Sequence, residues 1–177
     1  MADMSINSFK ANFLGGARPT LFEVEMTFPA GVSNSNMAAK KMKFMCTGAS
    51  IPPSTVGKID VNFRGRKIPI PGDRTNSSMT INVLNDIDWQ VRNAFEEWLA
   101  LINTHEGNIG NTTLASVTSD FQVKQLNRDG TVVKTYKLIS AFPSSVSEIS
   151  LSADSNDQIE SFSLTIEYAY WQTETIL

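Results

Sequence analysis

Residues 56 to 71, VGKIDVNFRGRKIPIP, restrict the fold more than any other part of this sequence. Alternating apolar residues flank a tight Arg64-Gly65-Arg66 turn and predict two short strands. They are Val56, Ile59, Val61 and Phe63 before the turn and Ile68 and Ile70 after it. Pro69 and Pro71 lack a backbone N–H, so the second strand cannot lie in the middle of a sheet. Because an isolated ribbon is marginal in water, we expect the rest of the chain or another copy of it to complete this one.

The remaining sequence predicts a mainly β fold. Apolar residues alternate with polar ones at 21–28, 41–48, 78–85 and 159–171, which indicates strands. The runs 121–126 and 131–138 flank a hairpin turn, and a two-residue Asp129-Gly130 turn pairs Val123 with Tyr136 and Phe121 with Leu138. Short antiparallel connections favour a β-sandwich or a partly closed antiparallel barrel.

One amphipathic helix is predicted to pack on these strands. Asp86 or Asp88 can cap its start. Its apolar stripe consists of Val91, Phe95, Trp98, Leu99 and Ile102. The spacing i, i+4, i+7, i+8 and i+11 gives a stripe broad enough to cover one side of a small sheet.

The segments between the strands carry loop and turn signals. Residues 29–41 predict a loop, 71–75 a turn, and 104–118 an exposed connection. Pro143 predicts a break before a short strand at Ile149 and Leu151, and residues 154–157 predict a further turn.

The chain length of 177 residues suits one domain with a substantial core. Residues 1–19 show little periodicity and contain Gly15-Gly16, which predicts an N-terminal arm. We therefore expect an arm at 1–19 and a single domain at 20–177, with the ribbon at about 56–71 protruding from it.

The sequence shows no arrangement of catalytic or metal-binding residues. His105 is the only histidine, and its place at the end of the predicted helix favours a cap or a surface role. Cys46 is the only cysteine and falls in an apolar run, which suggests a buried thiol. Glu96 and Glu97 diverge by about 100° on a helix, so they do not form an acid–base pair. We expect no enzyme activity, no metal and no cofactor.

A formal net charge of −3 argues against sequence-independent DNA binding, which needs a clustered excess of Lys and Arg. The aromatic residues Tyr168, Tyr170 and Trp171 follow a strand period and are more typical of a core than of a base-stacking platform. No apolar run approaches the roughly 18 residues that span a bilayer, and no secretion signal begins the sequence. We therefore expect no membrane segment and assembly in the cytoplasm.

Several short motifs occur in an order that resembles one protein family. They are Ala17-Arg18-Pro19 before Leu21-Phe22, Arg66-Lys67-Ile68 with Gly72-Asp73-Arg74-Thr75, Val83-Leu84-Asn85-Asp86, and a C-terminal run from Phe142-Pro143 through Ile159 to Trp171. Over residues 17–171 the sequence resembles the tail tube proteins of contractile-tail bacteriophages. The N-terminal arm and the loops at 31–36 and 104–118 depart from the family's pattern.

The resemblance implies a fold, a role and a set of partners. Proteins of this family form hexameric rings that stack into a hollow tube, and the inner sheets of the subunits join into one barrel around the lumen. The implied partners are other copies of the chain, the tail sheath protein, a tape measure protein in the lumen, a baseplate hub or tube initiator, and a tail terminator. DNA passes through transiently without specific binding. The implied location is the virion, after assembly in the host cytoplasm.

The resemblance also implies that a neighbouring copy completes the ribbon. The candidate contact residues are Arg18, Val56, Ile59, Val61, Phe63, Arg64, Arg66, Lys67, Ile68, Ile70, Asp73 and Arg74. We expect the cations at the turn to meet carboxylates on the adjacent subunit or ring.

Several alternatives stay open at this point. The ribbon could instead fold back on its own sheet, with its turn cations serving solubility. The chain could be the tube protein of a tailocin or of a type VI-like contractile injection system, or a baseplate-proximal tube initiator. From a different class, it could be a monomeric ligand-binding β-barrel.

Overall fold

The computed structural model describes residues 5–13 and 15–175, so parts of the expected arm, residues 1–4 and 14, lie outside the described residues. Within the described ranges the chain forms four helices and nine strands. In chain order they are α1 (Ile6–Asn12), β1 (Phe22–Met26), α2 (Ser35–Met45), β2 (Cys46–Ala49), β3 (Thr55–Phe63), β4 (Arg66–Thr75), β5 (Met79–Leu84), α3 (Gln90–Ile102), α4 (Leu114–Val117), β6 (Ser119–Leu126), β7 (Val132–Val146), β8 (Ser161–Glu167) and β9 (Tyr170–Thr175).

Two antiparallel sheets share β7. One sheet has the order β1-β6-β7-β9, and the other has the order β7-β8-β5-β2. β7 serves both sheets because residues 134–139 pair with β9 and residues 142–146 pair with β8. β3 and β4 form a separate sheet, hydrogen-bonded only to each other. The predicted fold class, a β-sandwich or partly closed barrel with a packed helix, is confirmed.

A single hydrophobic core lies between the two sheets and is covered by α2 and α3. Its fully buried members include Val24, Met42, Ile81, Phe95, Trp98, Leu138 and Leu164. The indole Nε1 of Trp98 donates a hydrogen bond of 2.7 Å to the carbonyl oxygen of Val117. This bond ties the exposed connection after α3 to the core.

Three predicted features are confirmed by the structure. In the β6–β7 hairpin Phe121 lies opposite Leu138 and Val123 opposite Tyr136, as the turn signal predicted. The connecting loop covers residues 127–131 instead of two residues, because a register shift at Gln125/Leu126 absorbs the difference. β5 buries alternate residues, and α3 buries Val91, Phe95 and Trp98 of its predicted stripe, whereas Leu99 and Ile102 are half-buried. The predicted cap at Asp86 or Asp88 was wrong, because the N-cap of α3 is Trp89; Asp88 Oδ1 still accepts a hydrogen bond of 3.3 Å from the Gln90 N–H.

The prediction of a loop at 29–41 and a strand at 41–48 was wrong. Residues 35–45 form α2, and only 46–49 form a strand. Ala38 and Met42, one helical turn apart, are buried, whereas Phe44 is 81% exposed. Lys41 pairs with Asp86 and Asp88, and these ion pairs hold the helix against the start of α3.

Four predictions near the C-terminus and the ribbon were also wrong. Pro143 does not break the chain, since it is buried inside β7 opposite Ile166. Residues 147–160 contain no strand, and Leu151 is 77% exposed. The predicted strand at 159–171 is interrupted at residues 168–169, so β8 and β9 follow one another along β7. The predicted turn at 71–75 is the end of β4, which a bulge opposite Gly57 allows to continue.

Candidate interaction surface

The ribbon formed by β3 and β4 lies between β2 and β5 in the sequence and forms a sheet of its own. Every residue of the two strands is exposed except Gly72, which is half-buried. Its tight turn places Arg64 at φ 46° and Gly65 at φ 80°. Two successive residues with positive φ are typical of the two-residue hairpin turn whose twist matches that of the flanking strands.

The two faces of the ribbon differ in polarity. Ile59 pairs with Ile70 and Val61 with Ile68, so these side chains and that of Phe63 share one face. Each of the five is between 43% and 57% exposed. The opposite face carries Lys58, Asp60, Asn62, Lys67, Pro69 and Pro71. An exposed apolar stripe with a polar reverse side is typical of a surface that another protein covers.

The two prolines leave only one edge of the ribbon able to accept a further strand. The pairing of β3 with β4 continues without a shift from Lys58↔Pro71 to Phe63↔Arg66. A proline cannot donate to this ladder, so the nitrogens of Pro69 and Pro71 face the outer edge of β4. That edge therefore lacks two donors, whereas β3 keeps its outer donors.

Side-chain hydrogen bonds fix the base of the ribbon to the rest of the domain. Arg74 Nη1 donates to Ser54 Oγ at 2.9 Å, and Trp171 Nε1 donates to the Pro53 carbonyl at 3.3 Å. Asn76 Nδ2 donates to the carbonyl of Ala169 at 2.7 Å, at the junction of β8 and β9. These three hydrogen bonds therefore anchor the base of the ribbon to neighbouring segments.

Most of the sequence-predicted contact residues lie in this ribbon. Val56, Asp73 and Arg74 lie near its base, and Arg64, Arg66 and Lys67 lie at or next to its tip. Arg18 is separate from the ribbon. Its carbonyl accepts a hydrogen bond of 2.8 Å from Gln125 Nε2, which places it at the end of β6.

The ribbon tip is cationic and carries unpaired charge. Among the described residues, no carboxylate forms an ion pair with Arg64, Arg66 or Lys67. The Arg64 guanidinium lies 5.4 Å from the centroid of the Phe63 ring. Lys58 and Asp60, on the polar face, pair with each other at 3.3 Å. The tip therefore presents three positive charges and one aromatic ring to a partner.

Outside the ribbon, the described residues offer structural ion pairs and one thiol. Hydrogen bonds from Lys124 and Lys43 hold the pKa of the Glu25 carboxyl below its usual value. Burial raises the pKa of the half-buried Cys46 thiol to about 11, which makes it a poor nucleophile. His105 lies in an exposed turn after α3. Within 5–13 and 15–175 no cluster of ligating side chains could hold a metal ion, and none of the described helices is both long and apolar enough to span a bilayer.

Sequence reasoning missed a second exposed apolar surface, on α1. Ile6, Phe9 and Phe13 are each more than half exposed, and the rings of Phe9 and Phe13 stack with centroids 5.2 Å apart. None of the residues of α1 is buried. The spacing i, i+3 and i+7 of these three residues is the signal that could have predicted the helix.

Comparison of the sequence with known proteins gives consistent matches. Residues 17–174 match the family described as phage tail tube protein. The tail tube protein of Enterobacteria phage T4 is 32% identical over 157 residues, which cover 88% of this chain and 91% of that protein.

Solved structures share the fold at lower sequence identity. The tube-terminating cap of the anti-feeding prophage is 20% identical with a TM-score of 0.69, covering 98% of this chain and all of that one. A subunit from the sheath–tube complex of an extracellular contractile injection system is 16% identical with a TM-score of 0.61, covering 97% of this chain and 99% of that one.

Proposed function

This chain belongs to the phage tail tube protein family, and we propose that it forms hexameric rings that stack into the inner tube of a contractile tail. The tube is the conduit through which the genome enters the host after the sheath contracts. The observation that carries the proposal is the ribbon, whose apolar face and unpaired edges are not covered by the described part of its own chain. The protein is thus a virion component, and its assembly in the host cytoplasm is part of the proposal.

Free strand edges support ring closure. Among the described strands, β1 and β2 end the main sheet path, and β9 pairs only with β7. Unpaired edges of this kind are templates for pairing with another chain. A closed ring of identical subunits pairs each edge with a neighbour and leaves none exposed.

The ribbon is the proposed contact between subunits. Its apolar face docks on a neighbouring copy, which removes five half-exposed apolar side chains from water. If the contact includes strand pairing, the outer edge of β3 carries it, because the prolines block that of β4. Arg18, which lies beside the end of β6, belongs to a second contact made by the N-terminal arm.

The remaining partners follow from the family. The solved sheath–tube complex and tube-terminating cap of similar fold support a sheath around the tube and a terminator at its end. A tape measure protein in the lumen and a baseplate hub or tube initiator complete the proposal. A formal net charge of −3 suits a channel that DNA traverses without binding. The role is structural, and no catalytic step is proposed.

A second candidate is a tube subunit of another contractile injection system. It is favoured by the fold shared with the anti-feeding prophage and with the extracellular system. The 32% identity to a phage protein favours the phage tail, because the solved structures match at 20% or less. A monomeric ligand-binding barrel needs interior space, which Phe95, Trp98 and Phe121 occupy here.

Electron microscopy of the purified protein tests the proposal. We expect rings or tubes from the native chain, and their loss in an Ile59→Asp, Ile70→Asp variant, because two carboxylates on the apolar face cannot be buried without partners. Ile87→Asp is the matched control, since Ile87 is 94% exposed outside the ribbon. Tubes from the ribbon variant would reject the ribbon contact. A native chain that stays monomeric at every concentration, with sheath and baseplate proteins present, would reject the tube itself.

A further inference from the structure

The ribbon tip contains an unfavourable backbone conformation and unpaired charges, and contacts within the described residues do not offset them. Arg64 adopts φ 46°, a left-handed conformation that disfavours a residue with a long side chain. Asn is the residue usually preferred before Gly in this type of turn. Arg64 also lies beside Arg66 and Lys67 with no carboxylate partner among the described residues. Strain and unpaired like charges at one position indicate a contact outside the chain.

Residues 147–160, which we call the acidic loop, have the complementary chemistry. The loop contains four acidic residues and no lysine or arginine; the four are Glu148, Asp154, Asp157 and Glu160. None of these carboxylates pairs with a described cation. Leu151 and Ile159 in the same loop are 77% and 71% exposed. The loop thus offers negative charge and apolar area to a tip that carries positive charge and Phe63.

The ribbon and the acidic loop leave opposite ends of one strand. The ribbon leads into β5 at Met79, and the loop meets the far end of β5, where the Asn85 N–H donates to the Glu160 carbonyl at 2.8 Å. A six-residue strand separates these ends by about 20 Å. β3 is about 30 Å long, and among the described strands it pairs only with β4. The base of the ribbon and the acidic loop therefore lie at opposite ends of β5.

Complementary surfaces at opposite ends favour a head-to-tail contact between copies. Such a contact is heterologous, and when it does not close it repeats along an axis without limit. We propose that the ribbon tip of one subunit docks on the acidic loop of a subunit in the next ring. The proposal rests on the tube function and specifies which surfaces join successive rings.

Other acidic groups fit the tip less well. Glu106 is an isolated acid in the connection after α3, and Glu25, Asp86 and Asp120 already pair with lysines. DNA phosphates would also attract three cations. DNA would not account for the complementary acidic loop, and DNA binding through Arg66 and Lys67 is included below as an outcome that rejects the proposal.

A charge swap tests the contact. Arg66→Glu with Lys67→Glu, or Glu148→Lys with Asp154→Lys, should each raise the concentration needed for tube assembly by about tenfold, because two attractive contacts become repulsive. The four changes together should restore assembly to within about threefold of the native protein. These pairs avoid Arg64 and Asp157, which have positive φ. Lys40→Glu with Arg128→Glu reverses two other unpaired cations and should have little effect.

Each other result of the swap has a defined meaning. If the tip reversal weakens assembly and the loop reversal does not, the acidic loop is rejected as the partner. It is also rejected if the combined variant does not restore assembly. Both results leave the tube function intact. Native protein that binds short duplex DNA through Arg66 and Lys67 in a gel-shift assay rejects the acidic loop as well. Native protein that never forms rings or tubes overturns both proposals.

Cross-linking in assembled tubes distinguishes the geometry of the contact. Arg66→Cys and Asp154→Cys in one chain should give a ladder of covalent oligomers under oxidation, because each subunit offers one tip and one loop. A reciprocal contact would stop at the dimer and would reject the head-to-tail arrangement. Arg66→Cys with Glu106→Cys is the control and should give no ladder. Cys46 can remain, since burial raises its pKa to about 11.

Discussion

The chain contains two long β-hairpins. Their strands pair over seven positions in β6–β7 and eight in β3–β4, but the two hairpins differ in what surrounds them. β6–β7 is flanked by β1 on one side and by β8 and β9 on the other, whereas none of the described strands flanks β3–β4. Both turns place a glycine at positive φ, Gly130 at 83° and Gly65 at 80°. Phe121 and Leu138 of the first hairpin are buried, whereas both faces of the second are exposed.

This difference shows that strand pairing and folding stability have separate sources. Cross-strand pairs specify register in both hairpins, but apolar burial supplies most of the folding free energy. The β6–β7 hairpin therefore belongs to the cooperative core of the monomer. The ribbon contributes little to that core and keeps its apolar face for a contact between subunits.

The largest expected effect comes from matched truncations in the two hairpins. Leu138→Ala should lower the free energy of unfolding of the monomer by about 2–5 kcal/mol, because Leu138 is fully buried. Ile68→Ala, at a site 47% exposed, should change it by less than about 0.5 kcal/mol and should instead weaken tube assembly. Urea denaturation at low protein concentration measures the first quantity, and sedimentation of tubes measures the second.

An equal loss in the two variants would contradict this separation. It would mean that the ribbon packs on its own domain in solution. A ribbon variant that denatures like the native protein but forms no tubes that sediment would support the separation.

The sequence predicted the hairpins because their signals are local. Asp129-Gly130 and the alternation around it determine the register of β6–β7, and Arg64-Gly65 does the same for the ribbon. The cations at the tip were likewise predicted, because charge at a turn is visible in the sequence. What covers the ribbon is not visible, because the partner lies outside one copy of the chain.

Helix α2 could not be predicted from local pattern because two periods coincide there. Met42, Phe44 and Cys46 fit a strand, while Ala38, Met42 and Met45 fit a helix. Ion pairs from distant parts of the sequence favour the helix, since Lys41 pairs with Asp86 and Lys43 with Glu23 at 3.2 Å. The prediction of a break at Pro143 was wrong for a similar reason, because the pairing of Pro143 with Ile166 is set by residues far along the chain.

A smaller effect is expected from alanine at the two turn glycines. Gly130→Ala should lower the free energy of unfolding by about 1 kcal/mol, because a left-handed backbone is unfavourable for alanine and the turn belongs to the core hairpin. Gly65→Ala creates the same backbone strain, because both glycines have positive φ. Neither change adds a steric clash, since nothing lies within 4 Å of either glycine's Cβ position. Gly65→Ala should leave global unfolding unchanged and increase hydrogen exchange in the ribbon alone. Similar shifts in the urea midpoint for both variants would place the ribbon inside the cooperative unit.

The smallest expected effect is electrostatic and again differs between the two regions. Lys124 and Lys43 lower the pKa of folded Glu25, on the strand that flanks β6–β7, below its ordinary value of 4.5. Glu25 thus adds stability above the unfolded pKa, and this stability is lost as the pH falls through the folded pKa. Glu25→Gln should therefore cost about 1 kcal/mol or less at pH 7 and flatten the loss of stability below pH 4.5. Asp60→Asn in the ribbon should give the same urea midpoint as the native protein at each pH, because the pair of Asp60 with Lys58 forms outside the cooperative core. If the Asp60 variant shifted the acid limb as much as the Glu25 variant, the ribbon would unfold together with the sheets.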